Sequence, residues 1–311
     1  MTDKAKSDVQ NSMSAAFSDL DAAERYKNAE NATLPFAEKL VEKAGLAQLS
    51  GEAHIFDCAT GTGAVVKEIY EAVPKNRWGG LSVLGGDSSS AMVNYLQARA
   101  EKEGWVGVTT QVIDGNVRET LPPMLWPLAD VSKKDINLPK ASFTHIFVSF
   151  AVFAMPNVLP KLYELLKPGG YMGITTWAFF TWQPLLARCI SMMKDKPFNP
   201  SPSDLENKMF GGHNWAEMSY VASQLSSVGL VKVDTMRHEV KAACGTPKLF
   251  METMQFPLKM ITSFWDEEKR EEWLDELNGI MYREVSREAG GEDESVVLEF
   301  DANIGWGWKS G

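Results

Sequence analysis

A chain of 311 residues, 44% hydrophobic and with a formal charge of −10, is long enough for one large buried core. It is too acidic for a surface built to neutralise nucleic-acid phosphates, so no nucleic-acid partner is expected. No apolar segment of signal-peptide type opens the chain and no apolar run matches a bilayer span, so a cytoplasmic address without a membrane partner is expected, and the sequon Asn31-Ala32-Thr33 should be inert there.

In chain order, residues 1–20 are polar and small, and a helix over 22–46 follows, carrying Arg25-Tyr26. His54-Ile55-Phe56 then reads as a buried strand. It leads into Asp57-Cys58-Ala59-Thr60-Gly61-Thr62-Gly63, and Ala64 to Ala72 leads out with Val65, Val66, Ile69 and Ala72 on one helical side. Glycines at alternate positions let a loop pass close to a ligand or take positive φ. There is no Gly-Lys-Ser/Thr, which excludes a phosphate-cradling P-loop, and Val66 stands where a dinucleotide fingerprint needs its third glycine. Asp57, four positions before Gly61, would repel a pyrophosphate yet suits a ligand carrying an ammonium group.

A second strand, Leu81-Ser82-Val83-Leu84-Gly85-Gly86, ends in Asp87 about one βαβ unit later, where a carboxylate can accept both hydroxyls of a ribose. Ser88, Ser89 and Ser90 open the next helix, with Met92 and Tyr95 placed to lie against a purine. A third strand, Val108-Thr109-Thr110-Gln111-Val112-Ile113, ends in Asp114-Gly115-Asn116, where an acid can take an exocyclic amino proton from adenine; Asp135 in the following polar stretch is its rival. The fourth strand runs from Phe143 to Ser149-Phe150. Leu166-Lys167-Pro168-Gly169-Gly170 then turns into a fifth strand, Tyr171-Met172-Gly173-Ile174-Thr175-Thr176. Strands alternating with helices and ending in acids give a doubly wound α/β sheet with its ligand at the carboxyl edge.

Beyond 180 the pattern is aromatic and methionine-rich. A cap helix is expected from Leu185 to Met193, a breaker-rich loop over 196–202, and a helix over 215–226. A long edge strand over 230–242, a charged amphipathic helix over 264–289 and a last strand from Val296 through Trp308 complete the chain. Phe153, Trp177, Trp182, Phe210 and Trp215 are the candidate substrate-lining residues, in a region whose polarizable side chains suit a bulky apolar acceptor. His213, in Phe210-Gly211-Gly212-His213-Asn214, is the candidate base, with capping of the helix expected at Trp215 as its structural alternative. His145 begins a buried strand and His238 lies on the edge strand, so neither reads as catalytic. Cys58, Cys189 and Cys244 lack metal-ligand spacing and read as free buried thiols, which leaves no metal expected and excludes an iron–sulfur triad.

The ordered set Asp57-x-x-x-Gly61-x-Gly63, Asp87, Asp114-Gly115 and Leu166-Lys167-Pro168-Gly169-Gly170 resembles that of class I S-adenosylmethionine-dependent methyltransferases, in particular the ubiquinone and menaquinone biosynthesis branch, over residues 20–180. The resemblance implies a Rossmann-like fold with a seven-stranded, mostly parallel sheet, one antiparallel edge strand and a helical cap. Its expected cofactor is S-adenosyl-L-methionine and its expected substrate a small molecule. Tyr26, Asp57, Ala59, Thr60, Gly61 and Gly63 would hold the methionine end. Asp87, Ser88 and Met92 would serve the ribose and purine, Asp114, Gly115 and Asn116 the adenine, and Ser149 and Phe150 would sit beside the reactive methyl. On this pattern residues 1–46 form lid helices, 47–182 the cofactor core, 183–229 and 247–290 cap and substrate-binding insertions, and 230–246 and 291–311 the closing strands of one domain. Thr144 departs from the family's usual Phe-Asp before the fourth strand, at a structural position. The Arg25-Tyr26 helix and the methionine-rich late segment also resemble fungal thiol methyltransferases that modify reduced epipolythiodioxopiperazines.

Overall fold

The computed structural model describes residues 30–113 and 138–311. Seven strands form one sheet in the order β3-β2-β1-β4-β5-β7-β6: β1 (Ala53–Cys58), β2 (Leu81–Asp87), β3 (Val108–Val112), β4 (Phe143–Ser149), β5 (Leu166–Trp177), β6 (Leu230–Ala243) and β7 (Val297–Lys309). The first five strands pair in parallel and β5 pairs with β7 antiparallel, as the doubly wound reading requires. The order reverses between β1 and β4, and a ligand crevice belongs outside the carboxyl ends of the strands at such a switch point. Register puts Asp57 opposite Gly85 on one side and Phe147 on the other, and Ser149 opposite Thr175. Thr144, which departs from the resembled pattern, is a link between strands: its hydroxyl accepts the His54 N–H and donates to the His54 carbonyl, both at 3.0 Å.

Helices cover this core where the sequence places apolar residues at helical spacing. α1 (Leu34–Ala44) buries Phe36, Ala37, Leu40 and Val41 and stops at Gly45, whose φ of 68° is open to glycine at little cost. The helix expected over 22–46 is therefore shorter at its end, and residues 1–29 lie outside the described part. α2 (Ala64–Ala72) buries Val65, Val66 and Ile69 as expected, with Tyr70 in the place foreseen for Ala72. α3 (Ser90–Glu103) is capped by Ser89, whose hydroxyl accepts the Met92 N–H. α4 (Val158–Leu165) precedes β5. Within β5 the Pro-Gly-Gly segment keeps its turn character, with Gly169 at φ 75° and a break in register between Phe143 and His145.

Two compact units divide the described residues: 33–113 and 138–178 with 215–238 and 302–311, and 179–214 with 239–301 and residues 30–32. The second contains α5 (Gln183–Ser191), α6 (Pro202–Phe210), α8 (Pro247–Thr253), α9 (Gln255–Thr262) and α10 (Arg270–Ala289); α7 (Met218–Ser227) belongs to the first. α6 was not foreseen, although it opens on a capping box in which Ser201 and Asp204 exchange hydrogen bonds. The helix expected over 264–289 starts only at Arg270. Ahead of it, Asp266 accepts the Glu268 N–H with its side chain, a local turn that competes with helix. In the same way the helix expected from Trp215 begins at Met218, with Glu217 as its cap residue.

Candidate active site

The site is built from the carboxyl ends of the parallel strands of the first unit. Asp57 is 0% exposed on β1, and burial pushes its carboxyl up to about 7, the Thr60 hydroxyl pulling the other way and nearby Asp87 adding to the rise. Thr60 donates to Asp57 Oδ2 at 2.6 Å, and its backbone N–H reaches the Gly86 carbonyl at 3.0 Å, so the loop after β1 is tied to both strands beneath it. Asp87 completes the connection: its Oδ2 accepts the Gly61 N–H and its Oδ1 the Ser89 N–H, each at 2.9 Å. Two of the three expected acids thus meet at one glycine loop.

Gly63 is glycine for a reason internal to the protein. It sits at φ 86° as the residue before α2, and a Cβ there would come within 2.5 Å of Leu96 Cδ1. Gly85 faces the same leucine from below, with Leu96 Cδ2 at 2.3 Å from its would-be Cβ. The two glycines let α3 close down on the loop, which accounts for Gly63 without any ligand. Gly61 and Ala59, at φ 54° and 60°, carry the turn itself.

Two oxygens of the loop stand out. Asp57 Oδ1 and Thr62 Oγ1 are buried with no hydrogen-bond partner in the protein, and a buried carboxylate oxygen left unpaired is costly. They flank Gly61 in sequence, so the loop offers an acceptor set that a cationic or hydrogen-bonding ligand group would satisfy.

At the far side of the switch point, Ser149 and Phe150 end β4. Phe150 stacks on Trp177, ring centroids 3.9 Å apart and 21° from parallel. Phe36 of α1 meets both edge-on, at 5.5 Å and 6.1 Å. His238 presents its ring to Phe36 at 5.6 Å, so the histidine set aside as an edge-strand residue belongs to this aromatic group. Neither Phe36 nor His238 was legible as part of the site, because both reach it from elements distant in sequence.

The other expected site residues fall in different places. Ser88 is half-buried beside Asp87, whereas Met92 is buried in the core, so the side chain foreseen against a purine is taken up by packing. Phe153 is half-buried just after β4. Trp215 is buried in the first unit, its carbonyl accepting from Thr176 and Asn303 at 2.8 Å and 3.3 Å. Trp182 and Phe210 belong to the second unit, where each packs on Phe180, at 5.4 Å and 5.5 Å. His213 is exposed after α6, and since α7 starts beyond it, the capping role weighed against catalysis is overturned. Tyr26, Asp114, Gly115, Asn116 and Asp135 lie outside the described residues.

His145 is held neutral, burial driving its imidazole down to about 4, in keeping with a structural histidine. All three cysteines are free and buried, and burial raises each thiol, so none is a ready nucleophile. No cluster of metal-binding side chains is present among the described residues. No helix among them is long and apolar enough to cross a membrane.

No protein-family model matches the chain. Among curated proteins it is 24% identical over 274 residues to the methyltransferase tpcH of Aspergillus fumigatus, covering 86% of this chain and 89% of that protein. It is 25% identical over 278 residues to the acetylaranotin bis-thiomethyltransferase of Aspergillus terreus, covering 88% and 90%. The chain is a methyltransferase of the class I fold. A solved phosphoethanolamine N-methyltransferase of Haemonchus contortus is also similar, at 14% identity and a TM-score of 0.48, over 89% of this methyltransferase and 53% of that chain.

Proposed function

We propose that this methyltransferase transfers a methyl group from S-adenosyl-L-methionine to an oxygen, nitrogen or sulfur atom of a small, largely apolar metabolite, acting in the cytoplasm. The observation that carries the reading is the buried Asp57 carboxyl with one oxygen unpaired beside the glycine loop. When bound, the cofactor supplies a methyl group on a sulfonium, open to in-line attack. Asp57 and the loop from Ala59 to Gly63 would hold its amino-acid end, Asp87 and Ser88 its ribose, and Ser149 and Phe150 would stand beside the reacting centre. The packed Phe36, Phe150 and Trp177 rings would shield the acceptor from water, and positioning of its nucleophile in line would then provide much of the acceleration. The bis-thiomethyltransferase among the relatives supports sulfur as the acceptor atom.

The test is calorimetric titration with S-adenosylmethionine, followed by mass spectrometry for a gain of one methyl per transfer across a panel of aromatic thiols, phenols and amines. Methylated product is the expected result. Tight binding with no methyl loss would point instead to a fold that holds the cofactor for cyclisation or isomerisation. Absence of binding would make the protein a non-catalytic regulatory partner.

His213 is the proton acceptor in this reading for an oxygen or nitrogen nucleophile. His213→Ala is expected to slow phenol or amine methylation by about a hundredfold and to leave a thiol that is already ionised near its wild-type rate. Unchanged turnover with every acceptor would remove His213 from the chemistry.

A further inference from the structure

Thr175 lies near the end of β5, fully buried, at a position where a parallel strand most readily places valine or isoleucine. A hydroxyl buried there is costly unless it is used. It is used at one point: Thr175 Oγ1 accepts the backbone N–H of Phe150 at 3.0 Å and pairs with Ser149 Oγ at 3.0 Å, while the Thr175 carbonyl accepts the same N–H at 3.2 Å. Phe150 sits at φ 54°, a left-handed conformation that bulky side chains rarely adopt. Such a backbone persists only where its surroundings over-determine it. The three-centre grip on the Phe150 N–H is that determinant, and its consequence is the close stack of Phe150 on Trp177, two residues beyond Thr175 on the same strand.

We propose that Thr175 is a positioning residue whose hydroxyl locks the left-handed turn at Phe150 and so fixes the Phe150–Trp177 stack as a wall of the acceptor site. The inference rests on the methyl-transfer reading above only for what the wall faces. The hydrogen bonds and the turn hold independently of it. Hydroxyl and methyl separate cleanly in substitution: Thr175→Val keeps the shape and removes the side-chain acceptor, leaving the Phe150 N–H only the Thr175 carbonyl at 3.2 Å, whereas Thr175→Ser keeps both acceptors.

The experiment measures acceptor kinetics, cofactor affinity and near-ultraviolet circular dichroism on wild type, Thr175→Val, Thr175→Ser and Trp177→Phe, with a small aromatic thiol and the matching phenol as acceptor probes. In Thr175→Val, kcat/KM for the acceptor should fall about tenfold or more and cofactor Kd should change by less than that, because the residues proposed for the amino-acid and ribose ends lie at the ends of β1 and β2, away from Thr175. Thr175→Ser should keep acceptor kinetics near wild type. The part of the dichroism spectrum lost in Trp177→Phe should also be lost in Thr175→Val and kept in Thr175→Ser. Wild-type acceptor kinetics and an unaltered Trp177 band in Thr175→Val would overturn the proposal, as would a serine variant that behaves like valine. If Thr175→Val does not fold, Thr175→Ala read by the same dichroism band decides. A wild-type protein that methylates neither probe while the band responds as described counts against the methyl-transfer reading and leaves the lock standing.

Discussion

Asp87→Ala is expected to weaken S-adenosylmethionine binding by about 2 kcal/mol or more, roughly thirtyfold in Kd, measured by calorimetry at neutral pH. The structure gives this carboxylate one task, and the proposed function adds a second. It accepts the backbone N–H groups of Gly61 and Ser89, one on each oxygen, so it sets the height of the glycine loop over β2 and the start of α3. In the proposed reading the same carboxylate also accepts the ribose hydroxyls, since a carboxylate oxygen can accept more than one hydrogen bond. Alanine removes the ligand contacts and leaves two backbone donors without their partner, so the loss exceeds that of a simple sugar contact. Asp87→Asn separates the two tasks, because its single carbonyl oxygen holds one backbone N–H and its amide repels the other. It should bind more weakly than wild type and more tightly than alanine. Affinity unchanged in Asp87→Ala would mean that the ribose is bound elsewhere.

How much of this could be read from residues alone follows from the range of the interactions. The glycine loop, the acid ending β2 and the strand–helix alternation are local patterns, and they fold as read. Asp57 and Asp87 are 30 residues apart, yet their meeting was legible because parallel register brings successive strand ends to one edge. What stayed hidden depends on contacts between elements distant in sequence. Thr144 looks like a departure from pattern until its bonds to His54 are seen, and Thr175 looks like an ordinary strand threonine until Phe150 turns left-handed above it. Met92 has the spacing of a purine contact, but the same spacing serves the core, and Leu96 wedged against Gly63 and Gly85 shows how closely α3 packs there. Helix starts were misplaced at Trp215 and Phe264 because aromatic residues packed in a turn share the composition of a helix's buried stripe.

Asp57→Asn should act in opposite directions on stability and on binding. In the folded, ligand-free protein burial raises the Asp57 carboxyl from its ordinary 3.8 to about 7, so between those values the native state keeps a proton that the unfolded chain has released. Stability therefore falls as pH rises from about 4 to about 7, by up to about 4 kcal/mol for a rise of that size. The groups acting on Asp57 are Thr60, which opposes the rise, and Asp87, which adds to it. Asparagine keeps the acceptor for Thr60 and has no charge to bury. The variant's melting temperature should accordingly exceed wild type at pH 8 and approach it at pH 4. Binding runs the other way if the unpaired oxygen receives the ligand's ammonium, since that contact needs Asp57 ionised. Wild-type affinity should then rise with pH, about tenfold per pH unit below about 7, and level off above it, with protons released to the buffer on binding. In Asp57→Asn affinity should be weak and the slope absent. A variant that binds as well as wild type across this range would show that the ammonium is held elsewhere and that the buried carboxyl stays protonated in the complex.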